Sequence, residues 1–208
     1  MDLALSAVLY ANCLTSQNGL VDICLIRHTR PQIEAGICYG RLDLDVAKSF
    51  EQEAVLAAAV LPSGFQHVYS SPLQRCRKLA DFLGFNYRLD DRLRELDFGD
   101  WEGRSWAEIS ESSFKDWTDN VEAFVFPGGE SFAEFQARVE QFLSQLPGGR
   151  TLLITHAGVI KVAYGMLAGK PLNEATAFAV EYGQCLRVVD GLPSLLPASN
   201  RSLLSPLA

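Results

Sequence analysis

The stretch Thr151-Leu152-Leu153-Ile154-Thr155-His156-Ala157-Gly158 is an apolar, β-prone run that stops abruptly on a histidine and two small residues. It predicts a buried strand over Thr151–Ile154, with a helix over Gly158–Leu167 behind it. The same pattern occurs near the other end of the chain, where the apolar run Val21–Ile26 ends on Arg27-His28-Thr29. The chain has three histidines, and two of them follow these runs. In an open α/β sheet, ligands bind in the loops that follow the strand ends, so the two stretches read as halves of one site.

The segments between them alternate. Ala47–Val60 reads as an amphipathic helix, stopped by Leu61-Pro62-Ser63-Gly64, and Phe65–Tyr69 as a second strand. Leu73–Leu83 is a helix closed by Gly84, and Phe85–Leu89 a third strand. Ser131-Phe132-Ala133-Glu134 is a capping box that starts a helix running to Leu146, where Pro147-Gly148-Gly149 ends it. Phe178–Val180 and Cys185–Val189 read as strands joined near Gly183. Such alternation predicts an α/β fold, a three-layer α/β/α sandwich with a mostly parallel central sheet. Residues 93–130 break the pattern with Trp, Phe and acidic residues, as a lid over the sheet's end would. One domain is expected over residues 21–190, with a leader of undefined structure over 1–20 and an irregular tail over 191–208.

A formal charge of -7 disfavours nucleic acid and anionic membranes as partners, so any anion site must be local and built from particular arginines. Leu3 to Leu14 is apolar, but it follows Asp2 and is too short to span a membrane. The five cysteines show no CxxC or Cys/His zinc spacing, so neither a disulfide framework nor a structural metal is expected, and a reducing cytoplasm is the simplest location. Oligomeric state is open, with a homodimer one option.

Three further segments complete the set of motifs: Ser70-Ser71-Pro72-Leu73-Gln74-Arg75, Leu93-Arg94-Glu95-Leu96-Asp97-Phe98-Gly99 and Pro127-Gly128-Gly129-Glu130-Ser131. With Arg27-His28 and Thr155-His156-Ala157-Gly158 they stand in the order found in the histidine phosphatase superfamily. The chain resembles that family over Ile23 to Val189, and within it the α-ribazole phosphatases. The resemblance implies a phosphoglycerate mutase-like sandwich and a phosphoryl transfer. A neutral imidazole can attack phosphorus, which makes His28 the expected nucleophile. Arg27 and Arg75 match phosphate oxygens bidentately and stay charged, and His156 adds a donor. Glu95 takes the place of the family's acid/base glutamate, protonating the leaving oxygen and later activating water.

Thr29, Ala157, Arg30 and Arg41 are the remaining expected substrate contacts. Arg30 lies two residues past the nucleophile, and Arg41 belongs to Tyr39-Gly40-Arg41-Leu42-Asp43, which is similar to the family's segment after the first motif. A small-molecule phosphate ester is the expected partner, and no metal or cofactor is required. Two positions depart from the family's habit: Thr29 stands where Gly is common directly after the nucleophile, and Glu34 where Asn is common. Glu34 would repel phosphate if it pointed inward. The short span between Glu95 and Pro127 favours a phosphatase, since the family's mutases usually carry longer insertions there.

Overall fold

The computed structural model describes residues 21–196, so the expectations for residues 1–20 and 197–208 lie outside the described residues. Strand β1 is Val21–Arg27, and helix α1, Phe50–Val60, follows it. Strand β2 is His67–Ser70, helix α2 Gln74–Phe82 and strand β3 Arg88–Leu89. Helices α3 (Glu111–Asp119) and α4 (Phe132–Ser144) precede strand β4, Gly149–Thr155. Helices α5 (Ala157–Leu167) and α6 (Leu172–Ala177), then strands β5 (Cys185–Val189) and β6 (Leu192–Leu195), complete the order. The six strands form one sheet in the order β3-β2-β4-β1-β5-β6, parallel from β3 to β1 and antiparallel from β1 to β6.

Central strands of such a sheet are buried on both faces, and successive side chains divide between two cores. Ile23 and Leu25 of β1 and Leu153 of β4 pack with Phe135 and Phe142 of α4 and Val159 of α5. Cys24, Ile26, Leu152 and Ile154 face the other way, against Ala54 and Ala57 of α1 and Leu79 of α2. The expected three-layer sandwich follows from this alternation. The expected capping box also forms: Ser131 Oγ accepts from the Glu134 N–H, and the Glu134 carboxylate accepts from the Ser131 N–H.

Three expectations change. Phe178–Val180 is not a strand; Phe178 caps helix α6, which the sequence pattern does not announce. The residues after Asp190 are not irregular as far as the description runs, because Leu192–Leu195 pairs antiparallel with β5. Asp190-Gly191 makes that turn with φ of 47° and 80°, the left-handed pair that a tight hairpin needs and that Asp-Gly signals in sequence. The third strand shrinks from five residues to Arg88–Leu89, at the sheet's edge where one neighbour, β2, holds it.

Residues 93–130 form short helices and loops, and their aromatic residues pack on one another. Trp101 is buried among Trp106, Trp117, Phe124 and Phe126, with ring centroids 5.1 to 6.4 Å apart. Among the described residues no helix is long and apolar enough to cross a membrane.

Candidate active site

Strand register assembles the site. Parallel pairing of β1 with β4 sets Arg27 opposite Thr155, so His28 and His156 leave the sheet side by side, with ring centroids 5.1 Å apart. Pairing of β2 with β4 sets Ser70 opposite Ile154, which brings Ser71 Oγ to 2.8 Å from His156 Nε2. Arg75, in the first turn of α2, then reaches across to His28. Four of the expected residues thus meet at the carboxyl edge of three adjacent strands because of a register set by the apolar pattern.

His28 is buried, and its two nitrogens are distinguished by their partners. Nδ1 lies 2.6 Å from the Thr29 carbonyl oxygen, which can only accept, so the ring proton is on Nδ1. Arg75 Nε–H donates to His28 Nε2 at 3.3 Å, and a guanidinium can only donate, so Nε2 presents its lone pair. Burial, followed by the charges of Arg75 and Arg27, holds the His28 pKa well below its usual 6.5. His156 is lowered in the same direction by burial, then by Arg75 and His28. Both rings are therefore neutral near pH 7.

Two neutral buried histidines have a consequence for stability. Their pKa is lower in the folded chain than in the unfolded one, so below about 6.5 the unfolded chain takes up protons that the folded chain refuses. Stability is complete above that pH and is lost as pH falls below it, by up to about 1.4 kcal/mol per pH unit per histidine. Denaturant titrations at pH 7.5, 6 and 5 should show the decline, and His156→Asn should flatten it; an unchanged midpoint in the native chain across that range would show that the histidines are not held neutral.

Arg75 is wholly buried. Its Nη1 and Nη2 donate to the carbonyls of Leu42 and Gly40, both at 2.6 Å. Arg27 Nη1 donates to the Val180 carbonyl at 2.8 Å, and its guanidinium carbon lies 3.8 Å from the centroid of the Tyr182 ring. Neither arginine forms an ion pair with a carboxylate among the described residues. Thr29 Oγ1 and Arg27 Nε are buried without a hydrogen-bond partner. One buried and one half-buried cation, with orphaned donors beside a helix N-terminus, form a receptor for an anion. Ala157 is the first residue of that helix, α5, and His156 its N-cap.

Glu95 approaches from the lid side. Its Oε1 accepts from the Leu96 N–H and its Oε2 from the Gly158 N–H, both at 3.1 Å, which fixes the carboxylate over the start of α5. A Cβ on Gly158 would collide with Oε1, so the glycine makes room for the acid.

The remaining expected contacts separate. Arg30 lies at the rim, its side chain 59% exposed, paired with Glu53 at 3.5 Å and 5.1 Å from the Tyr182 ring. Arg41 forms ion pairs at 3.1 Å with Asp97 and Glu130, while its Nε is buried without a hydrogen-bond partner. Glu34 is exposed and does not repel the anion site. Sequence reading missed Tyr182 and Tyr39, whose hydroxyls meet at 2.6 Å and which flank Arg27 and Arg75. It also missed Ser71 as the partner of His156. Among the described residues no group of His, Cys, Asp and Glu side chains is arranged to hold a metal ion.

Comparison with known proteins follows the same lines. The profile of the histidine phosphatase superfamily (branch 1) matches residues 23–190. A Hydrogenobacter thermophilus protein provisionally named phosphoserine phosphatase 2 is 34% identical over 157 residues, covering 70% of this chain and 77% of that protein. The adenosylcobalamin/alpha-ribazole phosphatase of Salmonella typhimurium is 26% identical over 197 residues, covering 88% of this chain and 98% of that one. The crystal structure of phosphoglycerate mutase from Thermus thermophilus superimposes with a TM-score of 0.68 at 31% identity, covering 81% of this chain and 92% of that one.

Proposed function

The chain belongs to the histidine phosphatase superfamily, branch 1, and is a phosphoric monoester hydrolase; from that premise we propose that it works through a phosphohistidine on His28, without a metal, and that its substrate is α-ribazole 5'-phosphate. One observation carries the mechanism: a wholly buried guanidinium, Arg75, donates to the lone pair of a neutral histidine and has no carboxylate partner among the described residues. Burying an unmatched charge is costly, and a phosphoryl group is the anion that would match it.

In the first step, His28 Nε2 attacks phosphorus; the N–P bond forms, the ester P–O bond breaks, and the leaving oxygen takes a proton from Glu95. Arg27, Arg75 and the Thr29 hydroxyl, beside the N-terminus of α5, hold the phosphoryl oxygens while charge spreads over them. The Thr29 carbonyl keeps its hydrogen bond to Nδ1–H and stabilises the imidazolium character that develops. In the second step, water attacks phosphorus, the N–P bond breaks, and Glu95 accepts the water's proton. His156, neutral before substrate binds, becomes a better donor once a phosphoryl dianion lies beside it.

The substrate is supported by the Phe126-Pro127-Gly128-Gly129-Glu130-Ser131 segment, by likeness to the Salmonella phosphatase along nearly its whole length, and by a rim that is aromatic and cationic. The ring of Tyr182 lies 5.7 Å from that of His28, with Arg30 beside it, and an aromatic base could stack there. Phosphoserine is the second reading, favoured by the 34% identical relative. The four described cysteines are free and buried, which fits a reducing cytoplasm.

Phosphate release from α-ribazole 5'-phosphate, phosphoserine, 3-phosphoglycerate and an aryl phosphate, all in chelator, tests the reading. A kcat/KM for α-ribazole 5'-phosphate at least about tenfold above the others is expected, a difference of about 1.4 kcal/mol in transition-state binding. Preference for phosphoserine would replace the substrate and leave the chemistry in place.

A further inference from the structure

We infer that Arg138 is the positioning residue for Glu95, acting from helix α4 without touching substrate; this rests on the proposed acid/base role of Glu95.

Arg138 is a largely buried cation whose side chain is 15% exposed. A guanidinium has five N–H groups, and the structure accounts for each of them. Nε donates to Glu130 Oε2 at 3.0 Å and Nη2 to Glu130 Oε1 at 2.6 Å, a two-point pairing. Nη1 donates to the carbonyls of Arg92 and Arg94 at 2.7 and 2.8 Å, and Nη2 to the carbonyl of Glu95 itself at 2.9 Å. Three carbonyls within four residues of backbone are gathered on one rigid fork. No N–H remains for a ligand, so a binding role is excluded by count.

Glu130 extends the grip beyond Glu95. Its Oε1 accepts from the Asp97 N–H at 3.0 Å, and its Oε2 pairs with Arg41. Thr155 Oγ1, one residue before His156, donates to the Leu93 carbonyl at 2.8 Å. Backbone on both sides of Glu95 is thereby tied to α4 and to the end of β4, the strand that delivers His156. Arg41 lies between Gly40 and Leu42, whose carbonyls hold Arg75. The Arg41–Glu130–Arg138 chain therefore links the loop that seats the phosphate clamp to the loop that carries the acid. Lysine has three donors on a flexible stem and cannot reproduce the fork.

A displaced acid matters only where a proton must be transferred. An alkyl ester needs its leaving oxygen protonated, whereas p-nitrophenolate leaves without a proton. In Arg138→Lys, kcat for an alkyl phosphate should fall by on the order of 10²-fold with KM nearly unchanged. Nitrophenolate release in a single turnover, with enzyme in excess over p-nitrophenyl phosphate, should stay within about threefold, since that step needs no acid. In a Glu95→Gln background the same substitution should cost the alkyl substrate nothing further. Equal losses on both substrates, no loss on either, or a full additional loss in the Glu95→Gln background would each overturn the proposal. Thermal unfolding checks that the variant is folded, and Glu130→Gln, which keeps the size of the side chain, should give the same split more weakly. Absence of phosphohistidine in the native chain would overturn the phosphohistidine reading itself, a failure distinct from any of these.

Discussion

His28→Ala should lower turnover by about 10⁴- to 10⁶-fold and leave no phosphoenzyme, the scale seen when a covalent nucleophile is removed and only binding remains. The size follows from how completely the site is arranged around one nitrogen. Thr29 fixes the proton on Nδ1, Arg75 faces the Nε2 lone pair, and burial beside two arginines keeps the ring neutral. Water in an alanine-sized gap has no such activation. Chelator should change neither native nor variant activity, because in the proposed mechanism Arg27 and Arg75 offset the charge on the transferring group. Steady-state rates with an aryl phosphate, with and without chelator, check both statements; a variant that keeps a tenth of native turnover would exclude His28 as the nucleophile.

Arg75→Met should be as informative, because activity and stability should separate. Activity should fall by about 10³- to 10⁵-fold, the range for arginines that stabilise a transferring phosphoryl group. Stability without ligand should change little. Losing donors to the Gly40 and Leu42 carbonyls costs about 1–3 kcal/mol for each group left unsatisfied, while removing a buried, unmatched cation gives much of that back. The ligand dependence should vanish: orthovanadate at a hundred times its Kd stabilises the native chain by about 2.7 kcal/mol by mass action, and the variant by nothing measurable. Calorimetry of both proteins with and without vanadate checks this. A variant destabilised as much as it is inactivated would make Arg75 a structural residue.

Much of the site was legible because its parts sit at strand ends, where a change from apolar to polar residues is visible locally. Arg27-His28, Ser71 to Arg75 and His156 follow such changes, and parallel register does the rest. What was missed arrives by other routes. Tyr182 lies in the connection read between two strands, and nothing local shows that its ring would lie against Arg27. The ion pairs of Arg41 with Asp97 and Glu130, residues 56 and 89 positions later, have no local signal either. Arg138 did leave a trace: with Phe135, Val139 and Phe142 it falls on the i, i+3, i+4, i+7 stripe of α4, the face that packs on the sheet. A charge on a core-facing stripe implies a buried partner, and Glu130 precedes it by only two helical turns.

The β5–β6 hairpin shows the same division. Asp190-Gly191 was a readable turn signal, but the Pro- and Ser-containing strand behind it has little β pattern of its own, and Leu192 is 75% exposed. Its pairing is imposed by the edge of β5. Element boundaries moved for a related reason: β3 is as long as its contact with β2, whatever its propensity allows.

The central claim is that the lone pair on Nε2 of His28 takes the phosphoryl group. Rapid quenching of the native chain during turnover, followed by peptide mapping and ³¹P NMR of the base-stable phosphopeptide, tests it most directly. The expected result is a single phosphohistidine at position 28, substituted on Nε2. Phosphate on Nδ1, on His156, or on no histidine at all would contradict it.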